Sequence, residues 1–480
     1  MAQTFPALIL RADGVSATGS FAEAQAAYLD PDPATVERLK GLLAASDAGV
    51  VAHFYMDAEL QGALMATRWK RLQISDSLVM ADRAVVMAEQ GARAIVVLGV
   101  DFMSENVRAV LDAAGHTEIP VYRVAAEPIG CSLAAAAEAP AYAAYLKAAA
   151  RTPNSLHVVY INTSLRTKAH AQATIPTITC TSSNVVQTVL ETFAEQPDAH
   201  VWFGPDTYMG QNLKSLFTSM AELDDAAIAA VHPRHSSETL KALLPRFHYF
   251  EQGNCIVHHM FGADVVARVR DEYPDAHITA HLEVPGEMFE LGLAAQRAGR
   301  GVVGSTSNIL DHIATQVRAQ PVEGGRPVRL QFVLGTEAGM ITSIVHAVRG
   351  LLRERPQVTV EIVFPVAEGA VVATGDESLP LVPGVAGGEG CSTAGGCATC
   401  PYMKMNSLDA LMAVLEKVAE PATLKAFHPK LYSEKVDGQT VAALGELPIR
   451  HMRHFQKTGH LPPALVEDMH TRVATRATAG

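Results

Sequence analysis

Three apolar runs along the chain end alike. "GVVAHFY" (49–55), "LHVVYIN" (156–162) and "HITAHLE" (277–283) each close on two polar residues with one residue between them: His53 and Tyr55, Tyr160 and Asn162, His281 and Glu283. Their β-rich composition predicts strands, and on a strand residues two apart share a face. A hydroxyl-rich tetrapeptide follows each run: "SDSL" (75–78), "TSSN" (181–184) and "STSN" (305–308). Such residues favour helix starts, and the first two precede the helical spacing of "LVMADRAVVMA" and "VVQTVLETF". A third set is a strand entering an acidic turn: "AIVVLGVDFM" (94–103), "HVWFGPDTYM" (200–209) and "LQFVLGTEAGM" (330–340). In these, Asp101, Asp206 and Glu337 each stand two residues past a glycine.

The cysteines follow the same order. Cys131 comes after the first acidic turn, Cys255 after the second, and Cys391, Cys397 and Cys400 after the third. One β/α plan of roughly 110 to 130 residues thus recurs three times. Strands alternating with helices predict an α/β fold of three similar α/β/α units with parallel sheets. Ligands of such folds sit beyond the carboxyl ends of the strands, where these polar residues fall. If the units meet around a pseudo-threefold axis, the strand ends and cysteines share one central active site. The expected divisions are 1–150 (an N-terminal segment and the first unit), 151–272, 273–410 with a Gly/Pro-rich insertion at 365–396, and a helical tail at 411–480.

With 480 residues, 49% hydrophobic and 18% charged, the composition is that of an ordinary globular protein. A net charge of −12 argues against a general nucleic-acid binder. The most basic stretch, "RHMRHFQKTGH" (450–460), reads as a solvated helix face. Arg11 and Asp13 interrupt the first apolar run, unlike a secretory leader, and no run approaches the roughly 18 apolar residues of a membrane span. The expectation is a cytosolic protein without membrane contact, in which structural disulfides are disfavoured.

The cysteines then need another use. Paired CxxC knuckles suit structural zinc, but only Cys397 and Cys400 form such a pair, in "GGCATCPYMKMN" (395–406). An iron–sulfur cubane fits better: thiolates are its ligands, Cys before Pro is a recurring context, and one cysteine from each unit would leave an iron open as a Lewis acid. Two other readings stay open, a hydratase with such a cluster and a zinc or redox sensor using Cys391, Cys397 and Cys400. Helix-start hydroxyls suit phosphate or carboxylate groups, and His53, Tyr55, Tyr160, His281 and Glu283 suit acid–base chemistry.

Together, "CIVHHMF" at Cys255, "GSTSNIL" (304–310) and "CATCPYMKMNSL" (397–408) resemble quinolinate synthase. So do "AHFYMDAELQ", "LGVDFMSE", "CSLA", "VYINTS", "CTSSN" and "AHLEVP", in order from about residue 45 to 410. The resemblance implies condensation of iminoaspartate with dihydroxyacetone phosphate to quinolinate, with loss of phosphate and water, in NAD biosynthesis. It further implies a transferase with a 4Fe–4S cluster on Cys131, Cys255 and Cys400. Tyr55, Tyr160, His281 and Glu283 match the family's catalytic positions. His53, Asp76, Ser77, Met103, Asn162, Ser182, Ser305 and Thr306 match its substrate contacts, and His258 is a weaker candidate. The substrates are small molecules; an L-aspartate oxidase or aspartate dehydrogenase would be the transient partner supplying iminoaspartate. The chain departs from the family in the wider spacing of Cys391 from Cys397, the insertion at 365–396, and "HLE" where "HPE" is usual.

Overall fold

A computed structural model describes residues 4–322, 326–365 and 400–477, and every apolar run named above contributes a strand. In chain order the strands of the three larger sheets are β1 (Ala7–Arg11), β2 (Gly14–Thr18), β3 (Gly49–His53), β4 (Leu72–Ser75), β5 (Ile95–Leu98), β6 (Val121–Tyr122) and β7 (Ser155–Tyr160). There follow β8 (Thr177–Cys180), β9 (His200–Gly204), β10 (Phe247–Tyr249), β11 (His277–His281), β12 (Gly301–Gly304), β13 (Val328–Gly335) and β14 (Val358–Val363).

The chain is an α/β protein with several parallel sheets. Their orders are β4-β3-β5-β6, β8-β7-β9-β10 and β12-β11-β13-β14, the same plan three times. Pairing within each set of four is parallel. In each, the first strand in chain order lies between the second and third, so the connections diverge there; such switch points open crevices at the strands' carboxyl ends. Helices cover both faces, which explains why β3, β5 and β7 are largely apolar and buried along their whole length. The N-terminal residues form the hairpin β1–β2, which adds to β14 antiparallel.

The chain divides into two compact units. One comprises residues 1–100, 116–129 and 256–429 and holds the first and third sheets; the other comprises 101–115, 130–255 and 430–480 and holds the middle sheet. In the second unit, helix Val441–Thr458 packs along helix Leu165–Thr174 and β8. The basic stretch at 450–460 is therefore not a wholly solvated face. His451 is buried, its Nδ1 2.8 Å from the Thr177 carbonyl, and Met452 is sealed beside it.

The helix starts fall where hydroxyls and acids predict them. Asp76 caps helix Ser77–Glu89, accepting from the amides of Leu78 and Val79 at 3.0 Å each. Asp206 caps helix Thr207–Met220, and Ser305 caps helix Thr306–Arg318 in a reciprocal box with Asn308. At the middle site Asn184 precedes helix Val185–Glu195 without a side-chain cap; its Oδ1 accepts from the Thr181 amide instead (2.8 Å).

The strand ends differ from expectation in one respect. β3, β7 and β11 stop at His53, Tyr160 and His281, so Tyr55, Asn162 and Glu283 stand in turns and do not share a strand face with them. The cause is local hydrogen bonding. The Met56 amide returns to the His53 carbonyl and the Val284 amide to that of His281 (both 3.2 Å). The imidazole Nδ1 atoms also accept from the amides two residues on, Tyr55 at 3.2 Å and Glu283 at 3.3 Å. Residues 366–396 of the insertion, with Cys391 and Cys397, lie outside the described residues.

Candidate active site

In the first unit, the ends of β3 and β11 bring polar side chains into a nearly dry cluster. Glu283 is 3% exposed and His258, from the short 3-10 turn His258–Met260, is wholly buried. His258 Nδ1 lies 3.1 Å from Glu283 Oε2, and its ring stacks on His281 with centroids 4.9 Å apart. Tyr55 meets the edge of the His53 ring at 4.8 Å, and its hydroxyl is 3.1 Å from Thr306 Oγ1 and 3.3 Å from Thr336 Oγ1.

Burial sets the charge states here. It lowers His53 to about 4 and His281 to about 3 against the nearby Glu283 carboxylate, so both imidazoles are neutral at pH 7. It also pushes the Tyr55 phenol well above its ordinary value, aided by the Glu337 and Glu283 carboxylates. A protonated phenol, neutral imidazoles and a sealed carboxylate can hand protons to and from a bound molecule, or orient its oxygens. The Asp76 carboxyl is raised by burial, offset by the two amides it caps. Ser77, Ser305 and Thr306 are buried at their helix starts, where the amides favour anions.

The second unit carries the other expected residues. Tyr160 ends β7 and is buried; Asn162 is half-buried in the following turn, and Ser182 half-buried after β8. Met103 is buried in the first turn of helix Asp101–Ala113. Cys131 precedes helix Ser132–Glu138, and Ser132 Oγ donates to the Asn254 carbonyl (3.0 Å), which draws the segments of Cys131 and Cys255 together. Cys400, in the first unit, is half-buried like Cys131 and Cys255, whereas Cys180, the last residue of β8, is completely buried.

Sequence reasoning gave His258 the least weight, yet it is the partner of Glu283. Thr336 it passed over, although its place between Gly335 and Glu337 in the third acidic turn was a usable signal.

Fold and site define an α/β enzyme with acid–base and anion-binding groups at the carboxyl ends of parallel strands. The model of the quinolinate synthetase A protein family (NadA) matches residues 37–431. The chain is 54% identical to the chloroplastic quinolinate synthase of Arabidopsis thaliana, an alignment covering 97% of this chain and 67% of that protein. It is 51% identical to the chloroplastic enzyme of Oryza sativa subsp. japonica (97% and 69%), and 26% identical to the quinolinate synthase of Prochlorococcus marinus strain MIT 9313 (84% and 92%). It spans about two thirds of the plant proteins' length. The chain belongs to the quinolinate synthetase A family, and its function is quinolinate synthesis for NAD biosynthesis.

These relatives correct the cytosolic expectation, since the plant enzymes are named chloroplastic. That expectation rested on the lack of a secretory leader and of a membrane span, features that do not separate the cytosol from a plastid interior. No helix among the described residues is long and apolar enough to cross a membrane.

Proposed function

We propose that the chain is a transferase that condenses iminoaspartate with dihydroxyacetone phosphate, releasing phosphate and water, with a 4Fe–4S cluster on Cys131, Cys255 and Cys400. The observation that carries the acid–base part is the sealed His258–Glu283 pair against His281. The donor set fits the cluster: three thiols are partly accessible, while burial pushes the Cys180 thiol far up and disqualifies it as a ready thiolate. When bound, such a cluster supplies a Lewis-acidic iron that polarises substrate oxygens.

The chain's own residues do the rest. Glu283 takes and returns protons, held in place by His258, while neutral His53 and His281 donate or accept hydrogen bonds. Tyr55 and Tyr160 present phenol protons to substrate oxygens. Ser77, Ser182 and Thr306 bind phosphate or carboxylate beside helix-start amides, and Asp76, Met103, Asn162 and Ser305 complete the contacts. The strand order shared by all three sheets supports three similar units about a pseudo-threefold axis. The relatives' names support a plastid location. The supplier of iminoaspartate would be an L-aspartate oxidase or an aspartate dehydrogenase.

The test is quinolinate formation by the anaerobically purified protein given both substrates, alongside Glu283→Gln. We expect a loss of about a hundredfold in kcat for that variant, the scale of one acid–base group. Unchanged turnover in Glu283→Gln would remove the proton role. A protein that carries iron and sulfide but makes no quinolinate would favour the hydratase, and one that carries zinc alone the sensor.

A further inference from the structure

Gln61 and Lys168 occupy the same place in two separate units. Gln61 stands eight residues after His53, the last residue of β3, and Lys168 eight after Tyr160, the last of β7. Each sits on the helix that follows its strand, Ala58–Thr67 or Leu165–Thr174, and each is 0% exposed. Gln61 Nε2 donates to the carbonyls of Phe54 (2.9 Å) and Met56 (2.6 Å), one and three residues past the strand end. Lys168 Nζ donates to those of Ile161 (3.1 Å) and Thr163, again one and three residues past. The residues thus bracketed are Tyr55 and Asn162.

Neither side chain is an easy resident of a core. Lysine is almost never fully buried unless paired, because desolvating an ammonium costs several kcal/mol. Lys168 is held by two carbonyls, the Phe102 ring 5.9 Å away and the charge of Glu105. Glu105 in turn accepts from the Leu165 amide (2.9 Å) and the Tyr432 hydroxyl (3.0 Å), so a polar network braces the turn. Gln61 has two amide hydrogens for three carbonyls, the third being Gly339 (2.9 Å). At the third strand end the eighth residue after His281 is Phe289, which has no donor. The clamp is therefore specific to the two turns that carry Tyr55 and Asn162.

We propose that Gln61 and Lys168 are matched positioning residues for quinolinate synthesis, each clamping the two carbonyls that flank a site residue and so fixing the direction of Tyr55 or Asn162. This rests on the reading that Tyr55 and Asn162 touch substrate. A clamp acts on alignment, and misplacing a reacting group by about 1 Å can cost a hundredfold in rate.

The experiment uses the full chain, purified anaerobically, as Gln61→Met, Lys168→Met and Lys168→Gln. Thermal midpoint, kcat, KM and amide hydrogen exchange over residues 53–57 and 160–165 are measured. We expect the Met variants to lose about tenfold or more in kcat while remaining folded, with faster exchange confined to the affected turn. Lys168→Gln should recover most of the loss, since a glutamine does the same work at position 61. Folded Met variants with parental kcat and exchange would overturn the proposal, as would a Lys168→Gln no better than Lys168→Met. Should Lys168→Met not fold, the same measurements on Gln61→Met decide the matter. Tyr55→Phe and Asn162→Ala are run alongside. Parental turnover in both would overturn the site reading and the proposal with it; loss there, with intact clamp variants, overturns the proposal alone.

Discussion

Two imidazoles at strand ends make the protein sensitive to acid. His53 and His281 are held near 4 and 3 by burial, whereas an unfolded histidine titrates near 6.5. Between these values the unfolded chain binds more protons, so stability rises with pH and is lost as pH falls below about 6.5. We expect on the order of 2 kcal/mol per imidazole to disappear between pH 7 and pH 5. Urea unfolding at both values, compared with the His53→Gln, His281→Gln double variant, checks this; an equal pH dependence in parent and variant would sink it. The identity of these residues was legible because each closes an apolar run. Their neutrality was not, because it depends on how completely the surrounding elements exclude water.

At the scale of elements, caps and close approaches govern the site's shape. Asp76 spends one carboxylate oxygen on the Leu78 and Val79 amides. Asp76→Ala should therefore cost about 1 kcal/mol, while Asp76→Asn keeps the cap and most of the stability. Chemical denaturation separates them, and a kcat loss in Asp76→Asn at parental stability would point to the charge itself. Gly339 lies where a Cβ would come within 2.7 Å of the Tyr55 Cα, so Gly339→Ala must displace backbone. Its turnover should fall with that of Tyr55→Phe, and parental activity would refute the tight seat of that turn. Strands and helix starts were legible from period and capping residues. The turns were not: His53 and His281 bend the chain by accepting from amides two residues on, a local competition that alternation of polar positions does not reveal.

For the molecule as a whole, the threefold recurrence of strand run, hydroxyl tetrapeptide and acidic turn was readable, and all three sheets have one strand order. The two-unit division was not readable, because residues 101–115 and 430–480 join the middle sheet's unit from a distance. The proposed cluster makes a prediction at this scale. Serine at Cys131, Cys255 or Cys400 should each abolish bound iron and acid-labile sulfide, from about four of each per chain, whereas Cys180→Ser should keep them. Metal and sulfide analysis of the four proteins decides it; cluster retention in any of the first three removes that residue from the ligand set.

The hairpin β1–β2 has a kinetic consequence. Ala7 pairs with Val363, so the third sheet cannot be finished until segments 356 residues apart (363 − 7) have met. Closing so long a loop slows folding, and until it closes β14 presents an unpaired edge of Val, Ile and Thr residues, with Glu361 its one charge, open to pairing with another chain. Removing residues 1–18 should leave that edge bare for good, yielding a protein that aggregates during refolding at concentrations the full chain tolerates, as light scattering would register.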